Sequence, residues 1–139
     1  MANSRVGSHP SHEGQLVVNS TSSFTLVPND SGKTFIMKGA AVTVTLPTLS
    51  TDIAGFQVTL ISGDDNEHIV TGGASKIYGY GIDGSGTAAE TVLPLTGHST
   101  ITPGAGMIIG DKYDITTDGT NWYMYSITGA EVAGSYQIT

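Results

Sequence analysis

The stretch KYDITTDGTNWYMYSI, residues 112–127, decides the fold class because it has the form of a β-hairpin. KYDITT and NWYMYSI read as two strands, and the Asp118-Gly119 pair between them is a strong hairpin signal. In the second strand Trp122 and Met124 fall on one face and the tyrosines on the other. Both faces are apolar, so we expect one to pack in the domain core and the other against a second subunit or another layer.

Working outward from this hairpin, the same two-residue period recurs along the chain. In AVTVTLP the valines alternate with threonines, and GFQVTLIS places Phe56, Val58 and Leu60 on one face. Residues 55–72 read as a hairpin with the polar tip GDDNE. Short apolar segments continue at intervals close to the 8–12 residues of sandwiches and barrels. The sequence therefore predicts an all-β fold of short antiparallel strands.

The chain divides into an arm and one domain. Residues 1–14 contain almost nothing to bury, so we expect a flexible N-terminal arm, which is either a disordered tail or a segment that becomes ordered only when it lies across a neighbouring subunit. Residues 15–139 are predicted to form a single domain. One capping-box pattern, Thr87 to Glu90, allows a single helical turn before Pro94 stops it.

The composition is acidic and poor in charge. The formal net charge is −7, charged residues make up 12% of the chain against about 25% in typical domains, and mean hydropathy is +0.04. Few lysines remain to guard sheet edges, so we expect an oligomer. An acidic protein is a poor partner for nucleic acid, and no apolar run is long enough for a signal peptide or a membrane span. We expect a product made in the cytoplasm without a membrane partner.

Motifs for catalysis, cofactors and metals have simpler explanations. Gly79, Gly81 and Gly84 match G-x-G-x-x-G, but more Gly-rich loop follows where the dinucleotide fingerprint requires a helix. The run from Asp64 to His68 lacks calcium-loop spacing and reads as an exposed turn. The aspartates of the hairpin lie too far apart for one ion, and the histidines are scattered. The sequence predicts no catalytic residue, no cofactor and no metal site, and cysteine is absent.

The aromatic residues are the remaining candidates for a functional surface. Four of them form the candidate subunit-interface or core set: Tyr113, Trp122, Tyr123 and Tyr125. Aromatic side chains are enriched in both settings. A carbohydrate-stacking platform built on Trp122 is the alternative.

With these segments in order, the chain resembles structural proteins of tailed bacteriophages. AVTVTLP, AGFQVTLIS, HIVTGGASKIYGY and AGMIIGDKYDITTDGTNWYMY follow one another between about residues 39 and 127. They are similar to a pattern in which a V-T-L-P strand end precedes a Gly-aromatic strand, an I-x-G strand and a closing S/T-D-G-x-N-W hairpin. The closing hairpin is the most specific part.

The resemblance implies a jelly-roll-like β-sandwich that works as a homotrimer on the outer surface of a virion. It favours a non-enzymatic capsid decoration, or cement, protein that binds the major capsid protein and stabilises the shell. A tail-fibre or head-fibre module that binds carbohydrate is the alternative. The expected capsid-contact arm contains four distinctive residues: Arg5, His9, Pro10 and His12.

Overall fold

The computed structural model of the chain describes residues 17–83, 92–103, 107–129 and 137–138. Within these ranges nearly all regular structure is β-strand, with two short 3-10 helices at Pro28–Asp30 and Thr51–Ile53. The strands are β1 Val17–Ser20, β2 Phe24–Thr25, β3 Thr34–Met37, β4 Thr43–Thr45, β5 Gln57–Ser62, β6 Ile69–Thr71, β7 Ile77–Asp83, β8 Val92–His98, β9 Thr100–Thr102, β10 Lys112–Thr117, β11 Trp122–Thr128 and β12 Gln137–Ile138.

Two sheets form the domain. The larger has seven strands in the order β1-β3-β5-β10-β11-β7-β8, and the smaller has five in the order β12-β9-β6-β4-β2. Inward-facing side chains from both sheets make a single hydrophobic core. The predicted all-β sandwich is confirmed.

The strand directions differ from the prediction of antiparallel pairing in a jelly-roll-like order. From β1 to β6 the chain alternates between the two sheets, so that β1, β3 and β5 pair parallel in one sheet while β2, β4 and β6 pair parallel in the other. β11 and β7 are also parallel. The two-residue period reports which face of a strand is buried, and it carries no information about the direction of the neighbouring strand.

Residues 55–72 are the clearest instance of this error. The sequence predicts a hairpin there, but β5 lies in the larger sheet and β6 in the smaller one. The polar segment between them is a crossover. Its conformation depends on hydrogen bonds to a distant part of the chain, such as the one that the Val42 N–H donates to His68 Nδ1 over 3.2 Å. A local turn signal cannot report such contacts.

The faces assigned from alternation are confirmed. Phe56, Val58 and Leu60 are buried in the core. Phe56 packs edge-on against Trp122, with the ring centroids 5.7 Å apart. Trp122 is the first residue of β11 and is fully buried, so its side chain anchors the start of this strand in the core.

The hairpin of β10 and β11 is confirmed in detail. The strands pair antiparallel, with Thr117 opposite Trp122. At the turn Asp118 Oδ1 accepts hydrogen bonds from the N–H groups of Thr120 (2.8 Å) and Asn121 (2.7 Å). Gly119 has a φ of +89°, a value that favours glycine. The turn residues thus satisfy the backbone locally.

The glycine motif lies within a strand. Gly79 and Gly81 belong to β7, which pairs parallel with β11 and antiparallel with β8. Gly79 has a φ of +133°, and a Cβ atom there would lie 1.9 Å from the carbonyl oxygen of Met124. Close approach of two strands therefore explains this glycine. Gly84 and the capping-box pattern from Thr87 to Glu90 lie outside the described residues.

Candidate interaction surface

Strand β11 divides its side chains between the core and the outside. Trp122 and Met124 are fully buried. On the other face Tyr125 is 54% exposed and Ile127 is 58% exposed. The prediction that one face of this strand enters the core is confirmed. The prediction that the outer face is covered by another subunit stays a prediction, since that face is open in the single chain.

Strand pairing extends the outer face of β11 into rows that cross the larger sheet. Tyr125 lies between Asp114 of β10 and Tyr80 of β7, and Tyr80 lies opposite Pro94 of β8. Toward the other edge, Asp114 lies opposite Thr59, which lies opposite Thr34. The neighbouring row runs from Lys112 through Ile127 and Ile82 to Val92.

One half of this face is an apolar ridge, the name used here for six exposed side chains: Tyr78, Tyr80, Ile82, Val92, Tyr125 and Ile127. Tyr80 and Tyr125 stack across the β7–β11 pair, with centroids 6.3 Å apart and an interplanar angle of 29°. Side chains on the same face of paired strands are neighbours, so these residues form one patch. A contiguous exposed apolar patch marks an interaction site more often than scattered apolar residues do.

The other half of the face is a groove beside Tyr125, called here the outer groove. Its volume is about 370 Å³, and its walls include Thr34, Gln57, Thr59, Asp114 and Tyr125. It forms because the row changes from long aromatic side chains to short polar ones on β10, β5 and β3. One side of Tyr125 meets Tyr80, and the opposite side lines the groove.

The charges on this face neutralise each other. Lys112 Nζ lies 2.8 Å from Asp114 Oδ2, and Thr59 Oγ1 donates a hydrogen bond of 2.8 Å to Asp114 Oδ1. At the rim of the groove Lys33 Nζ lies 2.7 Å from Asp30 Oδ1. Each of these pairs has a net charge of zero, so apolar area and shape, more than charge, distinguish this surface.

Tyr123 links the outer face to the hairpin turn. Its hydroxyl donates a hydrogen bond of 3.0 Å to Asp118 Oδ2. The backbone N–H groups of Asn121 and Thr120, and then the Tyr123 hydroxyl, stabilise the carboxylate and hold the pKa of Asp118 below its ordinary value. Tyr123 is half-buried, so it supports the turn more than it extends the exposed patch.

Tyr113 and Trp122 lie in the core. Tyr113 is fully buried, and its hydroxyl donates to the carbonyl oxygen of His68 over 3.2 Å. The indole of Trp122 is fully buried against Phe56. A buried ring cannot stack on a sugar, so the predicted carbohydrate platform on Trp122 is wrong. Of the four candidate aromatics, Tyr125 contributes most to the exposed surface.

The polar segment after β5 is exposed at Asp65, as predicted for a turn, but it ends on a buried histidine, which the prediction did not include. His68 is 0% exposed, and its Nε2 lies 3.0 Å from Asp64 Oδ1. Because the Val42 N–H donates to Nδ1, the ring proton sits on Nε2 and is donated to the carboxylate. Both ring nitrogens are thereby occupied, which leaves His68 in a structural role.

The ionisation of Asp64 fits the same role. Burial acts to raise the pKa of Asp64, but it is outweighed by hydrogen bonds from the N–H groups of Asn66 and Gly39, the Asn66 side chain and His68. The pKa of Asp64 is therefore lower than usual, and the carboxylate joins the crossover to the β3–β4 connection. No nucleophilic side chain contacts the His68 ring among the hydrogen bonds of the described residues.

Three aspartates in and next to the hairpin, Asp111, Asp114 and Asp118, lie in separate places. Asp114 is on the outer face, Asp118 is at the turn, and Asp111 is buried beneath the sheet end. Burial raises the pKa of Asp111, against the hydrogen bonds donated by the N–H groups of Gly129 (2.8 Å) and Ile108 (3.1 Å). Within the described ranges no group of three or more His, Cys, Asp or Glu side chains could hold a metal ion.

Comparison with protein-family models finds no matching family, and comparison with curated proteins finds no similar sequence. The described part of the chain has no helix with the length and apolar character to cross a membrane. The candidate capsid-contact residues of the arm, Arg5, His9, Pro10 and His12, lie outside the described residues.

Proposed function

We propose that this chain is a non-enzymatic structural protein of a bacteriophage virion: a capsid decoration protein that binds the outer shell as a homotrimer and stabilises it. The observation that carries the proposal is the apolar ridge. Tyr125 and Ile127 are more than half exposed in the single chain. Exposed apolar area of this kind indicates assembly with other protein.

The charge of the chain supports a place on the outside of a shell. A net charge of −7 disfavours contact with packaged DNA, whose phosphates require lysine and arginine. The protein would be made in the host cytoplasm and bind after the capsid lattice forms. Because it binds the assembled lattice better than free capsid subunits, it stabilises the shell by mass action.

The arm supplies the second contact in this proposal. Its 14 residues span at most about 50 Å when extended, which is enough to cross a boundary between capsid subunits. Arg5, His9, Pro10 and His12 are the proposed contacts with the major capsid protein. Deleting residues 1–14 is expected to leave the trimer intact and to reduce binding to capsids.

The test has two parts, self-association and shell binding. Light scattering of the full chain is expected to give a mass near three times 14.3 kDa. Capsids that lack the protein are expected to regain heat resistance when it is added, and the arm-deleted chain serves as the matched variant. A monomer at micromolar concentration, or an unchanged shell melting temperature, counts against the proposal.

A fibre module that binds carbohydrate is the second candidate, and the outer groove is the observation that favours it. One side of the Tyr125 ring stands beside the polar side chains of Gln57, Thr59 and Asp114, a combination suited to a sugar ring. A glycan screen on wild type and Tyr125→Ala tests it. Binding that disappears in the variant supports this candidate, and absence of binding to any glycan dismisses it.

A further inference from the structure

We infer that the outer face of the seven-stranded sheet lies toward the threefold axis of the homotrimer, and that the apolar ridge of each copy packs into the outer groove of the next. The occupant of the groove is thus a second copy of this chain. This inference rests on the proposed homotrimer and names the surface that builds it.

The ridge and the groove are complementary in shape. Ridge and groove share one face and one row of the sheet, which runs from Thr34 through Thr59, Asp114 and Tyr125 to Tyr80. Their centres are about two strands apart, or roughly 10 Å. The ridge projects where the side chains are long, and the groove is recessed where they are short. Each copy therefore carries both halves of a complementary contact.

The charges on the outer face permit contact between two copies. The chain carries a net charge of −7, so most surfaces of two copies repel each other. On the outer face Asp114 is paired with Lys112 at 2.8 Å and receives a hydrogen bond from Thr59. This face is therefore one that two copies can bring together without opposing like charges, and its exposed isoleucines and tyrosines gain from the loss of water.

The area of the outer face is shared between the two neighbours of each copy. Six strands about 4.8 Å apart, carrying three rows of outward side chains, give a face of roughly 30 by 20 Å. This planar area of roughly 600 Å² is divided between two neighbours, so each contact uses roughly 300 Å² of it, which is below the approximately 800 Å² that each partner contributes to a standard complex. Every copy makes two such contacts in a closed ring, and the ring is held by all of them together. In this arrangement the groove of each copy receives one neighbour and its ridge enters another. Such contacts are heterologous, and they close into a ring when the rotation between copies permits.

The absence of cysteine from the chain permits a decisive cross-linking test. Thr34→Cys and Tyr80→Cys are introduced together, one in the groove and one on the ridge. Within one copy these positions are four strands apart, or roughly 19 Å, whereas a disulfide requires Cα atoms within about 7 Å. Any disulfide between the two positions therefore joins different copies.

Oxidation is expected to convert most of the double variant into a covalent trimer on a non-reducing gel. The matched control pairs Tyr80→Cys with Val27→Cys, a position outside the larger sheet that is more exposed than Thr34, and it is expected to give at least tenfold less trimer. A product that stops at covalent dimer indicates a twofold arrangement and overturns the threefold inference. Absence of cross-links in a chain that light scattering finds trimeric overturns the inference and leaves the proposed function standing.

A second pair of variants removes dependence on disulfide geometry. Ile127→Ser alters the ridge, and Ile109→Ser makes the same change at an exposed isoleucine outside the face. Ile127→Ser is expected to weaken trimer formation roughly tenfold or more, because each interface loses a buried isoleucine. Equal trimer stability in the two variants contradicts the inference. A monomeric wild-type chain removes the homotrimer itself, together with the inference that rests on it.

Discussion

Gly79 offers the sharpest test of the fold because two independent constraints meet there. Its φ of +133° lies in a region that residues with a side chain rarely adopt. A Cβ atom would also lie 1.9 Å from the carbonyl oxygen of Met124, on the neighbouring parallel strand. That atom belongs to the backbone, so relief requires β7 and β11 to move apart.

The expected loss of stability follows from these two terms. Holding alanine in such a conformation costs about 1–3 kcal/mol, and overpacking of a close contact adds about 1–3 kcal/mol. Gly79→Ala is therefore expected to lower the free energy of unfolding by about 4 kcal/mol. Urea denaturation followed by the emission of Trp122 measures it, because Trp122 lies on the same strand pair as Gly79.

Gly73→Ala is the matched control. Gly73 also has a positive φ, +76°, but nothing lies within 4 Å of the position that an added methyl group would take. Its substitution is expected to cost only the backbone term, about 1–2 kcal/mol. If the two variants unfold at the same urea concentration, the close contact between β7 and β11 is wrong, and so is the register that assembles the apolar ridge.

Three further results are expected. His68→Phe leaves the buried Val42 N–H without an acceptor and is expected to lower the free energy of unfolding by about 3 kcal/mol. Tyr113→Phe removes only one hydroxyl and is expected to lower it by about 1 kcal/mol. Equal losses for the two variants in urea denaturation contradict the structural role of the His68 ring. Because the pKa of Asp118 is lowered in the folded chain, its carboxylate contributes stability that is present above the unfolded pKa of about 3.9 and is lost as pH falls through the folded pKa. The stability of Asp118→Asn is therefore expected to differ from that of wild type most near neutral pH and least at about pH 2. A difference in urea midpoint that does not change with pH refutes this. Trp122 emission is expected to resist quenching by iodide in the folded chain, and strong quenching contradicts its burial.

Local patterns predicted the parts of the fold that local contacts stabilise. Asp118-Gly119 identified the hairpin because the Asp118 carboxylate bonds the turn from within. Alternation placed Phe56 on one face with Val58 and Leu60, and it separated Trp122 from Tyr125, because one buried face is enough to impose a two-residue period. It left open which face of β11 enters the core. The same alternation placed Tyr125 on the opposite face of β11, where it is exposed.

Most of the candidate surface could not be predicted in this way. Tyr80 and Ile82 join Tyr125 only because β7 pairs parallel with β11, although the two strands are far apart in sequence. The segment from Asp64 to His68 has the composition of an exposed turn, and the burial of His68 at its end depends on contacts with Val42 and Met107 that lie elsewhere in the chain. Contacts between residues far apart in the sequence do not change the two-residue hydrophobic period of a strand, so the period cannot predict them.

Local sequence patterns were enough to predict the all-β class, the alternation of faces along the strands and the hairpin at Asp118-Gly119, because each depends on residues that are close together in the chain. Contacts between distant segments set the alternation of β1 to β6 between two sheets with parallel pairing, and they set the order of strands in the larger sheet. They therefore also decided that the ridge and the outer groove lie side by side. The pairing of distant strands depends on the packing of the whole core. Because β7 pairs with β11 and β8, tyrosines and isoleucines that are far apart in the sequence lie on one surface.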